Sequence, residues 1–234
     1  MFAVHLTATD TTSNFSFYRN NRTSPAACIA DDRFRQLLGD ADWFSLPATT
    51  RARFGRKAVG NRTITYLGEV THYETGLAGR VLAQIARLIG GPLPLHADLG
   101  LAAAVTVTED EAEGGQIWTR QYGRHRGFPQ MIHSVKRFAG STGLEEYLGR
   151  GFGIALKLRV AGGALYFDSD HYFLRLGSHR LALPRWLTPG DLTIGHIDHG
   201  DSWFTFTLDL AHPVFGRLIH QQCRFTEAVT GTLQ

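Results

Sequence analysis

From about residue 101 to residue 225 the chain is a succession of short segments with alternating apolar residues, separated by turn-forming residues. The clearest is Phe152-Gly153-Ile154-Ala155-Leu156-Lys157-Leu158-Arg159-Val160, where every second residue is apolar and those between are small or charged. A strand turns its side chains to alternate faces, so this pattern makes one apolar face and one wet or small-residue face. A sheet built this way closes on itself or takes a helix as cover. Short turns between consecutive strands argue for antiparallel pairing rather than a parallel nucleotide-binding sheet.

Other elements read as follows. Leu101, Ala103, Val105 and Val107 alternate, the stretch from Glu109 through Gly114-Gly115 makes a hairpin turn, and Gln116 to Tyr122 returns. Phe128–Phe138, Leu165–Leu176, Leu181–Trp186, Asp191–Asp198, Trp203–Leu210 and Pro213–Phe225 continue the series, and the last segment closes the sheet. Ser141–Leu148 reads instead as a helical turn or two, with Ser141 as cap, Glu145 and Glu146 early, and Gly149 as stop. Upstream, Thr63–Tyr73 is a strand. Leu77, Val81, Ile85, Leu88 and Ile89 then form one stripe at helical spacing, stopped by Gly90-Gly91-Pro92. With one apolar side, this helix is expected to lie across the sheet. Short helices are expected from Asp31 or Asp32 to Leu38 and from Ala48 into the arginines that follow. The expected fold is therefore α+β: a curved antiparallel β-sheet or barrel of about eight to ten strands covered by one long helix, with short helices near the N-terminus. Residues 1–30, dominated by Thr, Ser, Asn and Arg, read as a loose segment, 31–228 as a single domain and 229–234 as a tail.

Composition narrows the classes. No apolar run is long enough to span a membrane as a helix, and the N-terminus lacks the charged start and apolar stretch of a secretory signal. Cys28 and Cys223 are far apart and make no disulfide framework, so a cytoplasmic location is the simpler expectation. Net charge is only +3, carried by 21 arginines and 3 lysines against 21 acids. The cluster Arg51, Arg53, Arg56, Lys57 and Arg62 contains no acid and would attract anions, nucleic acid included; a solvated basic face is the simpler reading, and no nucleic-acid partner is expected.

Four segments carry a family resemblance: Trp118-Thr119-Arg120-Gln121-Tyr122-Gly123, Leu144-Glu145-Glu146-Tyr147-Leu148-Gly149, Leu183-Pro184-Arg185-Trp186-Leu187 and Pro213-Val214-Phe215-Gly216-Arg217-Leu218. In this order and spacing, over roughly Phe34 to Phe225, the chain resembles the bacterial domain of unknown function 4166 family. The resemblance implies no established activity. It implies that some relatives look fused to a nicotinamide-binding domain similar to saccharopine dehydrogenase, which suggests a separate nicotinamide-dependent oxidoreductase as a partner. That domain's G-x-G-x-x-G turn is absent here; Gly149, Gly151 and Gly153 lead into a strand, not a helix. Tyr122 stands where the family pattern W-x-R-x-F leads one to expect Phe.

Chemistry concentrates on one strand face. Trp118, Arg120 and Tyr122 share it, which would place an arginine between two rings inside a sheet or barrel. A buried guanidinium needs a carboxylate, a ligand anion or several carbonyls. Glu145 and Glu146 are the acids offered by the motif set. A structural Arg–Glu pair, or Arg120 stacked on Trp118, is the simpler reading; the functional one is an anchor for an anionic ligand whose organic part the rings clasp. Ligand-binding candidates are thus Trp118, Arg120, Tyr122, Glu145 and His133. The expected function is binding of a small apolar or amphipathic anionic ligand in the sheet's cavity. Alternatives are an enzyme using Arg120 with Glu145, Tyr122 or His133 for proton transfer, or a regulatory module for a separate oxidoreductase. Asp168-Ser169-Asp170-His171 and His196-Ile197-Asp198-His199 could each chelate through a spacing of two, but neither has a recognised metal spacing, and no metal or cofactor is expected. Cys223 and His220 alternate to opposite faces, which makes Cys223 a buried structural thiol. Leu183 to Pro189 is a stiff apolar loop, read as the plug of a barrel end in preference to a lid or a membrane-touching corner.

Overall fold

The computed structural model of the protein describes residues 28–60, 62–96 and 98–228. The loose segment expected over 1–30 lies outside these residues up to position 27, as does the tail at 229–234. Cys28–Ala30 forms β1, paired antiparallel with β2 (Arg56–Ala58).

The remaining strands follow one another around a barrel. They are β3 (Thr63–Thr75), β4 (Ala102–Glu109), β5 (Gln116–Tyr122), β6 (Gln130–Arg137), β7 (Glu145–Gly149), β8 (Phe152–Ala161), β9 (Ala164–Leu176), β10 (His179–Ala182), β11 (Asp191–Asp198), β12 (Trp203–His212) and β13 (Gly216–Glu227). Each pairs antiparallel with the next, except that β10 extends from β9 as a flap while β11 takes the place beside β9 in the wall. Register from Ile219↔Thr75 to Glu227↔Tyr66 joins β13 to β3, so ten strands close into an up-and-down barrel. Closure leaves the ten wall strands without a free edge, and alternation then sends one face of each inward.

This corrects the expected α+β class. The described residues are 52% strand and 18% helix, with only short helices and no long covering helix among them. The helices are α1 (Arg33–Leu38), α2 (Asp40–Ser45), α3 (Ala48–Phe54) and α4 (Leu77–Ala86), the last running into a 3-10 turn at Arg87–Ile89. A closed barrel buries its own apolar face, so none is needed as a cover. The stripe expected to lie on the sheet is largely solvent-facing: Leu77 is 80% exposed, Val81 51% and Ile85 58%. The buried side of α4 is instead Gly79, Ala83 and Ala86. Gly79 sits so close to β13 that a Cβ there would meet the Leu218 carbonyl oxygen at 2.0 Å. Small residues seat the helix, and its large apolar ones hang over the barrel's open end.

A second correction concerns Ser141–Leu148, expected as helical. Gly140 (φ 78) and Gly143 (φ 77) shape a tight turn, and Glu145–Gly149 is a strand between β6 and β8. As a strand it places Glu145 and Glu146 on opposite faces, each against a cation, and this tertiary pairing overrides the local helix signal.

The two ends of the barrel differ. Helices α1–α3 plug one of them. Phe34 packs edge-on against Phe54 and Phe138 at ring distances of 5.2 and 5.0 Å, and Trp43 and Leu46 are buried beside them. Arg33 pairs with Asp31 and Glu109, and Arg53 with Asp198. Two arginines of the acid-free sequence cluster thus find acids brought by distant strands, Arg53 in Asp198 and Arg56 in Glu227, while Arg51 donates to the Phe44 and Leu46 carbonyls. The other end is the mouth, ringed by α4, the β5–β6 loop, the β9–β11 connection and the β12–β13 turn. The outer wall carries polar cross-strand pairs such as Arg224–Glu69, Arg159–Asp168 and Thr63–Thr108. That is the reverse of a lipid-facing barrel wall. No helix among the described residues is long and apolar enough to cross a membrane.

Candidate functional site

Ten strands enclose more space than inward side chains fill from all sides. The plugged half of the lumen is packed with rings: Phe204 meets Tyr66, His196 and Phe225, and Phe167 meets Phe34 and Phe54. The mouth half is a cavity of about 1020 Å³, walled mainly by aliphatic and aromatic side chains.

Its few polar groups gather on three adjacent strands. Inward positions of β5 supply Trp118, Arg120 and Tyr122, those of β6 supply Ile132, Ser134 and Lys136, and β7 supplies Glu146. Lys136 Nζ donates to Glu146 Oε2 at 2.6 Å. Arg120 donates to Glu146 Oε1 at 3.3 Å and to Ser134 Oγ at 3.0 Å. Trp118 lies beneath both cations, its ring 5.7 Å from the Arg120 guanidinium carbon and 4.9 Å from Lys136 Nζ. One carboxylate thus faces two cations.

The electrostatics follow from burial. Desolvation alone would raise the Glu146 carboxyl, but the Lys136 ammonium and Arg120 guanidinium outweigh it, and hydrogen bonds from Lys136 and Ser134 add to them. The carboxyl is held well below its ordinary value. Desolvation lowers the Lys136 ammonium; Glu146 opposes this and Arg120 reinforces it. Burial pushes the Tyr122 hydroxyl up, and the Cys223 thiol up to about 12. Neither is an activated nucleophile at neutral pH. Elsewhere in the wall, Gln221 is 3% exposed and its Nε2 has no hydrogen-bond partner among the described residues.

Of the five residues singled out from sequence, Trp118, Arg120 and Tyr122 line the cavity together. Glu145 does not; it faces the outer side, where it pairs with Arg180 at 2.6 Å and accepts from the Tyr147 hydroxyl at 2.7 Å. His133 is also outside, exposed and hydrogen-bonded to Thr119 across the strands at 3.0 Å. Sequence reasoning missed Ser134 and Lys136, and it named Glu145 where Glu146 is the carboxylate that meets Arg120. The signal for Lys136 was present: alternation within Phe128–Phe138 puts one of only 3 lysines on the face of Ile132. Carboxylates of the two His/Asp groups are engaged by other side chains. Asp168 pairs with Arg159 and Thr193, and Asp198 with Arg53. No group of three His, Cys, Asp or Glu side chains able to hold a metal occurs among the described residues.

Residues 46–225 match the family described as Domain of unknown function (DUF4166). No curated protein matches the chain, and no solved structure does.

Proposed function

Starting from a chain that belongs to the DUF4166 family, whose description names no activity, we propose that it is a carrier or sensor of a long-chain amphiphile with an anionic head. The observation that carries this reading is an apolar cavity of about 1020 Å³ holding two cations and one carboxylate. A mainly apolar lining favours an alkyl or polycyclic body, and a few convergent polar groups fix its orientation. The surplus cation, in surroundings of low dielectric, favours an anionic head over water. Arg120 suits this role because its guanidinium still has donors to spare after Ser134 and Glu146, in a planar fork that matches a carboxylate or phosphate. The unpartnered amide of Gln221 adds a donor for a polar group along the ligand. An enzymatic reading has less support, since Glu145 faces away from the cavity and Tyr122 and Cys223 are poor nucleophiles at neutral pH. Nothing on the surface of the described residues singles out a separate oxidoreductase as partner.

The test is titration with a fluorescent polyene fatty acid. Saturable uptake near one to one is expected, displaced by unlabelled long-chain fatty acid and weakened about tenfold to a hundredfold in Arg120→Met. A long-chain alcohol should lose little affinity in that variant. Absence of saturable uptake, or equal uptake by Arg120→Met, would overturn the reading.

A further inference from the structure

Among the described residues, the six most exposed large apolar side chains are Phe128 (90%), Leu77 (80%), Trp186 (80%), Val214 (78%), Leu88 (71%) and Phe215 (65%). They come from four separate segments: α4 with its 3-10 extension, the β5–β6 loop, the β10–β11 connection and the β12–β13 turn. All four belong to the mouth. Scattered exposed apolar residues need no explanation, but a set confined to one end of the molecule marks a surface that meets something apolar.

Charge identifies the partner. The mouth segments 76–101, 123–129, 150–151, 177–190 and 213–215 carry seven arginines (80, 87, 124, 126, 150, 180 and 185) and one acid, Asp98. Adding the nearby Glu74, Asp191, Arg217 and the Glu145 that pairs with Arg180 gives eight arginines against four acids. The plugged-end segments 31–62, 110–115, 138–144, 162–163 and 199–202 are balanced, with eight acids and seven cations. Arg80 on α4 and Arg87 on its 3-10 extension are exposed beside Leu77 and Leu88, and neither forms an ion pair among the described residues. An apolar rim set with arginines, including an exposed Trp, fits the boundary between anionic headgroups and acyl chains.

We propose that the barrel docks mouth-first on an anionic lipid bilayer, Trp186, Phe215, Val214, Leu88 and Leu77 entering the acyl boundary while Arg80 and Arg87 meet the headgroups. The inference goes beyond the proposed cavity ligand, for which docking would supply the route of entry and release. The described chain begins at Cys28 on the plugged end, opposite this rim.

Flotation with vesicles of phosphatidylcholine alone, and of phosphatidylcholine mixed with phosphatidylglycerol, tests it on the full chain. Binding is expected to the mixed vesicles, reduced by salt. A blue shift of tryptophan emission should accompany it, since Trp186 is exposed whereas Trp43 and Trp118 are 6% exposed. Trp186→Ser with Phe215→Ser should abolish binding. Arg80→Ala with Arg87→Ala should weaken it about fivefold per arginine. These side chains are at the surface, and an unchanged melting temperature confirms that each variant is folded. No binding to either vesicle, equal binding to both, or binding unaffected by the paired serine replacements would overturn the proposal. So would a lipid-free dimer that those replacements dissolve, in the absence of vesicle binding, because the rim would then be a self-association surface. Fatty-acid uptake measured without vesicles reports on the cavity alone, so failure there and failure of docking can be told apart.

Discussion

Replacing Glu146 by Gln tests the central electrostatic reasoning, because the two-cation arrangement predicts effects of opposite sign on stability and on ligand affinity. Glu146 is the carboxylate that meets both Lys136, at 2.6 Å, and Arg120, at 3.3 Å, and its side chain is 4% exposed. Removing one partner of a buried ion pair leaves an uncompensated charge and costs about 3–5 kcal/mol. Lys136 can limit that cost by giving up its proton, at most about 4.6 kcal/mol at pH 7 for a lysine of ordinary pKa, and less here because burial already lowers it. For a domain of this size a loss of about 3 kcal/mol lowers the melting temperature by roughly 6–12 °C. The freed cations then welcome a ligand carboxylate in place of the lost one, so a long-chain fatty acid should bind about tenfold tighter and raise the variant's melting temperature more than that of the parent. The pH dependence follows from the direction of the shift. The folded-state pKa of Glu146 is depressed, so its stabilisation is present above the ordinary 4.5 and is lost as pH falls through the folded value. The gap between parent and variant should therefore narrow below pH 4.5. Differential scanning fluorimetry with and without fatty acid, over an acid pH series, reads all three effects. A Glu146→Gln protein that melts with the parent, or binds fatty acid more weakly, would refute the reasoning.

Three further outcomes are expected. His196 lies among Phe54, Phe204 and Phe206, neither ring nitrogen has a hydrogen-bond partner among the described residues, and burial followed by repulsion from Arg53 lowers its pKa from 6.5 to about 3. The unfolded chain takes up that proton first, so stability should fall by about 1.4 kcal/mol per pH unit below 6.5. His196→Phe should remove this slope and be neutral or stabilising at pH 7; urea melts at pH 7 and pH 5 with equal slopes for both proteins would contradict it. His133→Ala, on the outer wall, should leave fatty-acid affinity unchanged, whereas Ser134→Ala, which removes a partner of Arg120, should lower it several-fold, about 1 kcal/mol, in the same titration. Gly79→Ala would bring a Cβ to 2.0 Å from the Leu218 carbonyl oxygen, so α4 has to lift from β13. Hydrogen exchange should then quicken in Leu77–Ala86 while the barrel strands keep their protection, and unchanged exchange in α4 would count against the close seating described here.

Much of the architecture was legible before any coordinates. Alternation along Phe152–Val160 and Trp203–Leu210 identified strands with one inward face, and turn residues marked most of the hairpins. Local pattern could not tell where α4 would sit, because its apolar stripe reads the same whether it covers a sheet or overhangs a cavity. It also misread Ser141–Leu148, where a capping signal competes with strand partners more than five residues away in sequence. The site was half legible for the same reason: alternation placed Trp118, Arg120 and Tyr122 on one face, but which of two adjacent glutamates would meet Arg120 depended on the inward face of a strand that had been read as a helix.

The sequence by itself thus determined an antiparallel, apolar-lined sheet with an arginine between two rings, since side-chain period is a property of the local chain. Only the tertiary structure decided that the sheet closes through β13 and β3 and that Lys136 and Glu146 join Arg120. It alone gathered the exposed apolar and basic residues of four distant segments around one mouth. Each of these is a contact between residues far apart in the chain, and no local periodicity encodes which remote partner a side chain will face.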